Sequence, residues 1–377
     1  MTAPPRTLLA INSGSSTLKF AAFLATDELL RIASGTGPSA AGSAALSLEW
    51  LSQQVPLQDV SAIGHRVVLS ARRPPAERVT TELIEVLREA ASRDPDHLPA
   101  QLGLIEAMAD RFPALPQIAC YDSTFHDTMP RVARVLPIPR RFDAAGIQRF
   151  GFHGLSCAFL MEELSRIAGP EVANGRVILA HLGGGASITA VRHGSSLDTS
   201  MGFTPAGGLM MGTRTGDIDP GLALAMMKHD GLTPEAFDRL INAESGLLGV
   251  SGTTSDMRTL TARQSHDAHA AEAIHLFCYQ ARKWIGAYAA VLGGLDTIVF
   301  TGGIGENVPE IRDRICANLA FLGIEIDPAR NTDSAPVISS TSSVATVRVI
   351  RTDEELIIAR AVWNHGKSER HGDSSGE

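Results

Sequence analysis

The chain has few cysteines, no long apolar run and no excess of positive charge, and each shortage removes a class of function. Its four cysteines, Cys120, Cys157, Cys278 and Cys316, stand far apart with no CxxC pair. That spacing argues against a metal cage or a disulfide framework and for reduced, buried thiols. No apolar stretch reaches the ~18 residues that a membrane span needs. The opening MTAPPRTLLAINSG offers only Leu8–Ile11 as an apolar core, too short for a secretion signal, so a cytoplasmic protein is expected. The net charge is −8, from 33 Lys and Arg against 41 Asp and Glu. Nucleic acids and anionic membranes require a broad basic face, so neither is expected as a partner. A nucleotide can still be held by a few local groups.

What is present suffices for two domains: 377 residues, 44% of them hydrophobic and 20% charged. Leu8–Ile11 reads as a strand, Asn12–Ser16 as a turn and Thr17–Leu24 as a returning strand. The unit recurs as Val177–Ala180, a turn through Gly183–Gly185, and Ala186–Val191, which suggests a duplicated domain. Helical spacing is expected over Thr80–Ala91, Pro99–Arg111, Pro220–His229, Pro234–Ala243, His269–Leu292, Val308–Leu322 and Asp353–Asn364. Gln117–Tyr121, Asp296–Phe300 and Val344–Ile350 read as further strands, Pro130–Arg141 as a connection and Thr301–Glu306 as a glycine turn. Residues from Gly366 onward are polar with no face to pack, and are expected to be disordered. Interleaved strands and helices give an α/β class, and the hairpin starts fit mixed sheets in two similar domains with a cleft between.

Three glycine turns follow apolar strands: Asn12-Ser13-Gly14-Ser15-Ser16, Gly183-Gly184-Gly185 and Gly302-Gly303-Ile304-Gly305. Successive backbone N–H groups, hydroxyls and Lys19 suit a phosphate, although neither the P-loop nor the GxGxxG spacing is present. Each alone could be a plain hairpin or connector. Together they favour an ATP site spread over two domains. A fourth stretch, DTSMGFTPAGGLMMGTRTGDIDP (residues 198–220), places Arg214 among small, flexible residues with Asp217 and Asp219 beyond it, as a loop lying on a small anion would.

INSGSSTLKF, GHRVV (Gly64–Val68), YDSTFH (Tyr121–His126), RFGFHG (Arg149–Gly154), HLGGGAS (His181–Ser187), the stretch just quoted, FTGGIGEN and TDEEL (Thr352–Leu356) closely resemble the acetate kinase family, in the same order and over nearly the whole chain, Leu8 to Arg360. The resemblance implies membership of the superfamily of sugar kinases, actin and Hsp70-type ATPases. It implies two duplicated ribonuclease-H-like domains, α/β with mixed sheets and an interdomain active-site cleft. Boundaries are expected at 1–123 plus 356–366 for the N-terminal domain, 124–355 for the C-terminal nucleotide-binding domain and 367–377 for the tail. It also implies a homodimer that uses Mg²⁺, with Mn²⁺ as a substitute, and passes phosphate between ATP and acetate or another short carboxylate. ADP and acetyl phosphate are the products.

Carried over residue by residue, the resemblance puts Asn12 and Glu354 near Mg²⁺, through water, and Ser15, Thr17 and Lys19 along the phosphates. Arg66 holds the carboxylate, and Val68, Phe152 and Pro205 wall the alkyl end. Asp122 is the family's catalytic acidic residue, while His153 and Arg214 stabilise the phosphoryl group in flight. His181, Leu182, Gly183, Gly184 and Gly185, with Asp256, Met257, Arg258, Gly303, Ile304, Gly305, Glu306 and Asn307, hold the nucleotide. A carboxylate acceptor is already ionised at neutral pH, so Asp122 is read as an aligner rather than a base. Taken singly, Arg66 could be a surface arginine, Asp122 a turn cap, His153 a core histidine and Glu354 a first-turn helix carboxylate; the ordered motifs assign the roles. His65, His126 and His193 are expected to be structural.

The chain departs from the family pattern at Leu69-Ser70-Ala71 where HGG is usual, at Gly184 where asparagine is usual, and at Asp96, Thr17 and Cys157. No charged catalytic group is lost. Propionate or butyrate kinase is the near alternative, since one methylene discriminates by only ~1–3 kcal/mol. A more distant alternative is an actin- or Hsp70-like ATPase switch.

Overall fold

The computed structural model describes residues 6–14, 17–38, 53–91 and 98–372. The chain divides into two compact units, Met1–Phe125 with Gly154–Phe159 and Asp353–Glu377, and His126–His153 with Leu160–Thr352.

The first unit carries a six-stranded sheet of β1 (Thr7–Ser13), β2 (Thr17–Leu24), β3 (Leu30–Pro38), β4 (Val60–Val67), β5 (Ala76–Arg78) and β6 (Gln117–Tyr121), ordered β3-β2-β1-β4-β6-β5. Strand β1 is buried at every position, which is why TLLAINS shows no apolar–polar alternation: both of its faces are covered. It runs antiparallel to β2 and parallel to β4. The hairpin closes where the Gly14 N–H donates to the Thr17 carbonyl at 3.0 Å. Helices Thr81–Ala91 and Leu98–Arg111 cover one face through Leu83, Leu87 and Ile105, packed on Val67, Ala119 and Tyr121. On the other face, helix Glu354–Gly372 sets Ile357, Ile358 and Val362 against Leu8, Ala10 and Ile118. Each fully buried aliphatic side chain of this kind contributes about 1.5–3 kcal/mol. The helix lies so close that a Cβ at Gly64 would sit 2.5 Å from Ile358 Cγ2 and 2.6 Å from Val362 Cγ2.

The second unit carries five strands, β7 (Arg176–Leu182), β8 (Ala186–Arg192), β9 (Ser195–Thr199), β10 (Thr297–Thr301) and β11 (Thr346–Val349), ordered β11-β10-β7-β8-β9. Here β7, β8 and β9 pair antiparallel, and β10 runs parallel to β7 and β11. Each sheet thus starts with a three-strand antiparallel meander whose first strand then gains one parallel neighbour. Two mixed sheets that repeat one topology make an α/β fold of duplicated halves. Helix Ala268–Leu292 covers the second sheet, its buried Ile274, Phe277, Ala281 and Ile285 recurring at helical spacing, and Asp267 caps it by accepting from the His269 and Ala270 N–H groups.

Several local expectations need correction. Pro130–Arg141 is not a plain connection, because Pro130 and Pro139 each start a short helix, Arg131–Arg134 and Arg140–Ala144. Thr301–Glu306 is not an open turn, since Gly302–Asn307 is helical. The helix expected over Val308–Leu322 stops at Cys316: Ala317 turns extended at ψ 133° and Asn318 takes φ 68°. The last helix runs to Gly372, so residues 367–372 of the expected tail are helical, and 373–377 lie outside the described residues. All four cysteines are buried and free. Among the described residues, no helix is long and apolar enough to cross a membrane.

On β4, His65 is buried with its Nε2 2.6 Å from Gln117 Oε1, and burial, only partly offset by that bond, lowers its pKa to about 4. The unfolded chain takes up this proton near pH 6.5 and the folded chain does not, so stability is full above pH 6.5 and falls as pH drops toward 4. The loss across that window is expected to be roughly 3 kcal/mol. Urea midpoints at pH 7, 5.5 and 4 measure it, and His65→Asn should remove this part of the slope while lowering stability at pH 7.

Candidate functional site

The first unit gathers its polar groups at the ends of β1, β4 and β6. Asn12 and Lys19 stand opposite one another in the β1–β2 register. Asn12 is buried, and its Nδ2 donates to Glu354 Oε2 and to Glu355 Oε1, each at 2.8 Å. Burial and the charge of Glu354 raise the pKa of Glu355, against the opposing pull of Lys19 and the Asn12 bond. Two adjacent carboxylates and an amide are hard oxygen donors, the kind that Mg²⁺ accepts when phosphate and water complete its shell. Among the described residues, no group of three or more His, Cys, Asp or Glu forms a complete metal cage. Thr17 is exposed at the start of β2, and Ser15 lies outside the described residues.

Arg66 closes β4 and is buried. Its Nη2 donates to Asp122 Oδ2 at 2.7 Å and its Nη1 to the Ser13 carbonyl at 3.3 Å. Its buried Nε has no hydrogen-bond partner among the described residues. Burial alone would lower the Arg66 pKa; the charges of Asp122 and Glu354 and the bond to Asp122 outweigh it and hold the group above its ordinary value. Asp122 is wholly buried, its Oδ1 accepting from the Leu155 N–H at 3.3 Å and its carbonyl from the Gly154 N–H at 2.7 Å. A Cβ at Gly154 would fall 2.3 Å from that carbonyl, which explains the glycine. Val68 is buried, and Gln101 braces it: Gln101 Oε1 accepts from the Val68 N–H at 2.9 Å while Nε2 donates to the Ser13 carbonyl at 3.2 Å. Leu69 joins Leu83, Leu87 and Leu98 in the core, so this departure from the family motif serves packing. Asp96 lies outside the described residues.

In the second unit, two of the glycine turns lie backbone to backbone. A Cβ at Gly183 would sit 3.6 Å from Gly303 N, and one at Gly302, whose φ is +77°, only 2.6 Å from the Leu182 carbonyl oxygen. At Gly302 a side chain is excluded by contact as well as by conformation, while at Gly183 it would be in ordinary contact. His153 holds a left-handed backbone, φ 59° and ψ 27°, which costs a non-glycine residue about 1 kcal/mol or more and clusters at functional sites. The preceding peptide is pinned by His126, whose Nε2 is 2.9 Å from the Phe152 carbonyl and whose Nδ1 is 3.0 Å from Ser196 Oγ. His153 Nδ1 lies 2.9 Å from Ser187 Oγ, and its ring stacks on His181 with centroids 4.1 Å apart. Over bare Gly185 the groups converge: a Cβ there would meet His153 Nε2 at 3.2 Å and Arg214 Nη1 at 3.4 Å.

The glycine-rich stretch is held down at several points. Arg149 Nη1 donates to the carbonyls of Thr199, Ser200 and Met201 at 2.9, 3.2 and 3.0 Å. The Gly212 N–H donates to the Gly184 carbonyl at 3.0 Å. Arg214 is buried with Nη1 3.5 Å from the carbonyl of buried Pro205. Asp217 accepts from the Gly208 N–H at 2.8 Å and Asp219 caps helix Pro220–His229, so these two aspartates build the loop.

The remaining nucleotide candidates divide. Ser255 packs on Gly212, with its Cβ 3.5 Å from the position of a glycine Cβ, which brings the start of 256–258 beside the first turn. Asp256 itself caps helix Met257–Arg263, Met257 is buried in the core and Arg258 is exposed. Glu306 turns back on its own loop, accepting from Thr301 Oγ1 and the Gly302 and Thr352 N–H groups, and Asn307 Nδ2 donates to the Gly303 carbonyl. Ile304 and Gly305 are buried, while Gly303 and Asn307 are exposed. Sequence reasoning missed Glu355, Gln101 and Ser187, while His126, expected to be structural, braces the Phe152 carbonyl. Only Glu355 carried a signal, as the second carboxylate of TDEEL.

Residues 37–360 match the model of the acetokinase family. An acetate kinase of Rhodopseudomonas palustris is 42% identical over 390 aligned positions, covering 94% of this chain and 97% of the relative. A propionate kinase from Francisella tularensis superposes with a TM-score of 0.87 at 33% identity, covering 94% of this chain and 98% of its own. An acetate kinase from Porphyromonas gingivalis does so with a TM-score of 0.82 at 33% identity and the same coverage.

Proposed function

The chain belongs to the acetokinase family, and from that premise we propose that it transfers the γ-phosphoryl group of ATP reversibly to acetate. A carboxylate oxygen of the acid attacks the γ-phosphorus, the bond to the bridging oxygen breaks with its electron pair left on ADP, and acetyl phosphate forms. The observation that carries this reading is Arg66: a buried guanidinium fixed by Asp122 and the Ser13 carbonyl, with its Nε–H unengaged among the described residues. Such a group suits a small carboxylate.

The acceptor is ionised at neutral pH and needs no base, and Asp122, committed to Arg66, aligns that arginine. Val68, Phe152 and Pro205, all buried, would wall the alkyl end. Thr17 and Lys19, with Ser15, would face phosphate oxygens. The charge that spreads over the phosphoryl oxygens in flight would meet Arg214 and His153, the convergent pair above Gly185. The paired glycine turns at 183–185 and 302–305, with the segment 256–258, would take the nucleotide. Asn12, Glu354 and Glu355 would hold Mg²⁺ through oxygen and water, with Mn²⁺ as a substitute; when bound, the ion neutralises phosphate charge. We place the enzyme in the cytoplasm as a homodimer, on family resemblance.

Propionate is the second candidate acceptor, because the Francisella neighbour is a propionate kinase; butyrate follows from the same chemistry. A hydroxamate assay with Mg²⁺-ATP and acetate, propionate, butyrate or glycerol separates them. Acyl hydroxamate from acetate with the highest kcat/KM supports the proposal. A higher value for propionate or butyrate reassigns the acceptor, and no product from any acid points to an ATPase switch.

A further inference from the structure

Arg312 is wholly buried on helix Pro309–Cys316 and lies outside every role assigned above. A guanidinium has five N–H donors, and all five here find an uncharged oxygen. Nη1 donates to the carbonyls of Gly305 at 2.8 Å and Glu306 at 3.1 Å. Nε donates to Asn331 Oδ1 at 2.8 Å, and Nη2 to the Asn331 carbonyl at 2.7 Å and Ser334 Oγ at 2.9 Å. Asn331 is itself anchored, its Nδ2 donating to the Pro309 carbonyl at 2.9 Å. Burial lowers the arginine's pKa to about 10, so the group stays charged at neutral pH.

A buried cation without a carboxylate is costly and is a poor device for stability alone. Its charge sits at the C-terminal carbonyls of the six-residue turn Gly302–Asn307, where a cation is favoured. That turn packs its own glycine backbone against Leu182 and Gly183. We infer that Arg312 is a positioning residue for the nucleotide: by gripping the Gly305 and Glu306 carbonyls from within the core and tying them to Asn331, it fixes the turn whose accessible backbone meets ATP. This rests on the reading that residues 303–307 contact the nucleotide. The planar fork is required as well as the charge, because an ammonium offers three donors and cannot span both the turn and Asn331.

The test is calorimetric titration of the whole protein with ADP in Mg²⁺, for the parent, Arg312→Lys and Asn331→Ala, with near-UV circular dichroism as the check of fold. Acetate KM is measured at saturating ATP. The expected result is a Kd for ADP raised at least tenfold in Arg312→Lys and at least threefold in Asn331→Ala, with acetate KM changed less than twofold. Kd values within twofold of the parent in folded variants, or acetate KM rising in parallel with Kd, would overturn the inference. Should Arg312→Lys not fold, Asn331→Ala decides, since it keeps the cation. A parent that binds ADP but forms no acyl phosphate sinks the proposed reaction and leaves the Kd comparison able to judge Arg312. A parent that binds no ADP overturns both.

Discussion

Arg214→Ala is expected to lower kcat by about 10³-fold or more while leaving the Kd for ATP within a few fold. The phosphoryl group carries its charge on equatorial oxygens as it moves, and a forked cation gains most from that state. Arg214 is buried beside His153, and its Nη1 approaches bare Gly185, where no side chain intervenes. The nucleotide contacts proposed at 183–185 and 302–305 are with backbone and would not depend on this side chain. Arg214→Lys should recover part of the loss, because it keeps the charge and loses the fork. Single-turnover rates and nucleotide affinity on the same preparations make the measurement. A kcat within tenfold of the parent would remove Arg214 from the chemistry, and a parallel loss of ATP affinity would make it a ground-state binder.

Arg66→Ala is expected to act twice. Its kinetic effect is a rise of about 100-fold in the KM for the carboxylate, the loss due when one charge-assisted anchor of a small anion goes. Its structural effect follows from the 2.7 Å pair with Asp122, which is wholly buried. Removing one member of such a pair strands the other and costs about 3–5 kcal/mol. The double variant Arg66→Ala/Asp122→Ala should therefore regain much of the stability without regaining carboxylate affinity. Urea unfolding alongside KM separates the two effects. If the double variant recovered carboxylate KM as well, the kinetic loss would have been a folding defect and the clamp would be misassigned.

Much of this could be read from the residues, and where it could not the reason is physical. The hairpins at Thr17–Leu24 and Ala186–Arg192 were visible because their strands are apolar and bounded by glycine turns. Strand β4, VSAIGHRV, was not, because its Gly64, His65 and Arg66 interrupt the apolar pattern that a buried strand usually shows. Gly64 leaves room for the helix above it, and Arg66 is the residue proposed to hold the carboxylate. The convergence of His153, Arg214 and Gly185 could be expected only from family resemblance, since residues far apart in sequence leave no periodic trace. Gln101, Ser187 and Arg312 were invisible for a related reason: Gln101 bonds backbone, Ser187 a ring nitrogen, and Arg312 backbone, an amide oxygen and a hydroxyl, and the sequence marks no such partner.

The closing helix Glu354–Gly372 supplies both the carboxylates that meet Asn12 and the apolar residues that cover one face of the first sheet. Biosynthesis makes these arrive late, hundreds of residues after the strands they complete. During translation the nascent first sheet therefore exposes an apolar face around Leu8, Ala10 and Ile118, while the whole second sheet is made. A chain cut short before this helix would lack the carboxylates that meet Asn12 and would also present that uncovered face. Loss of activity and recognition by chaperones or proteases would then coincide, so a truncated product would be both silent and marked for removal.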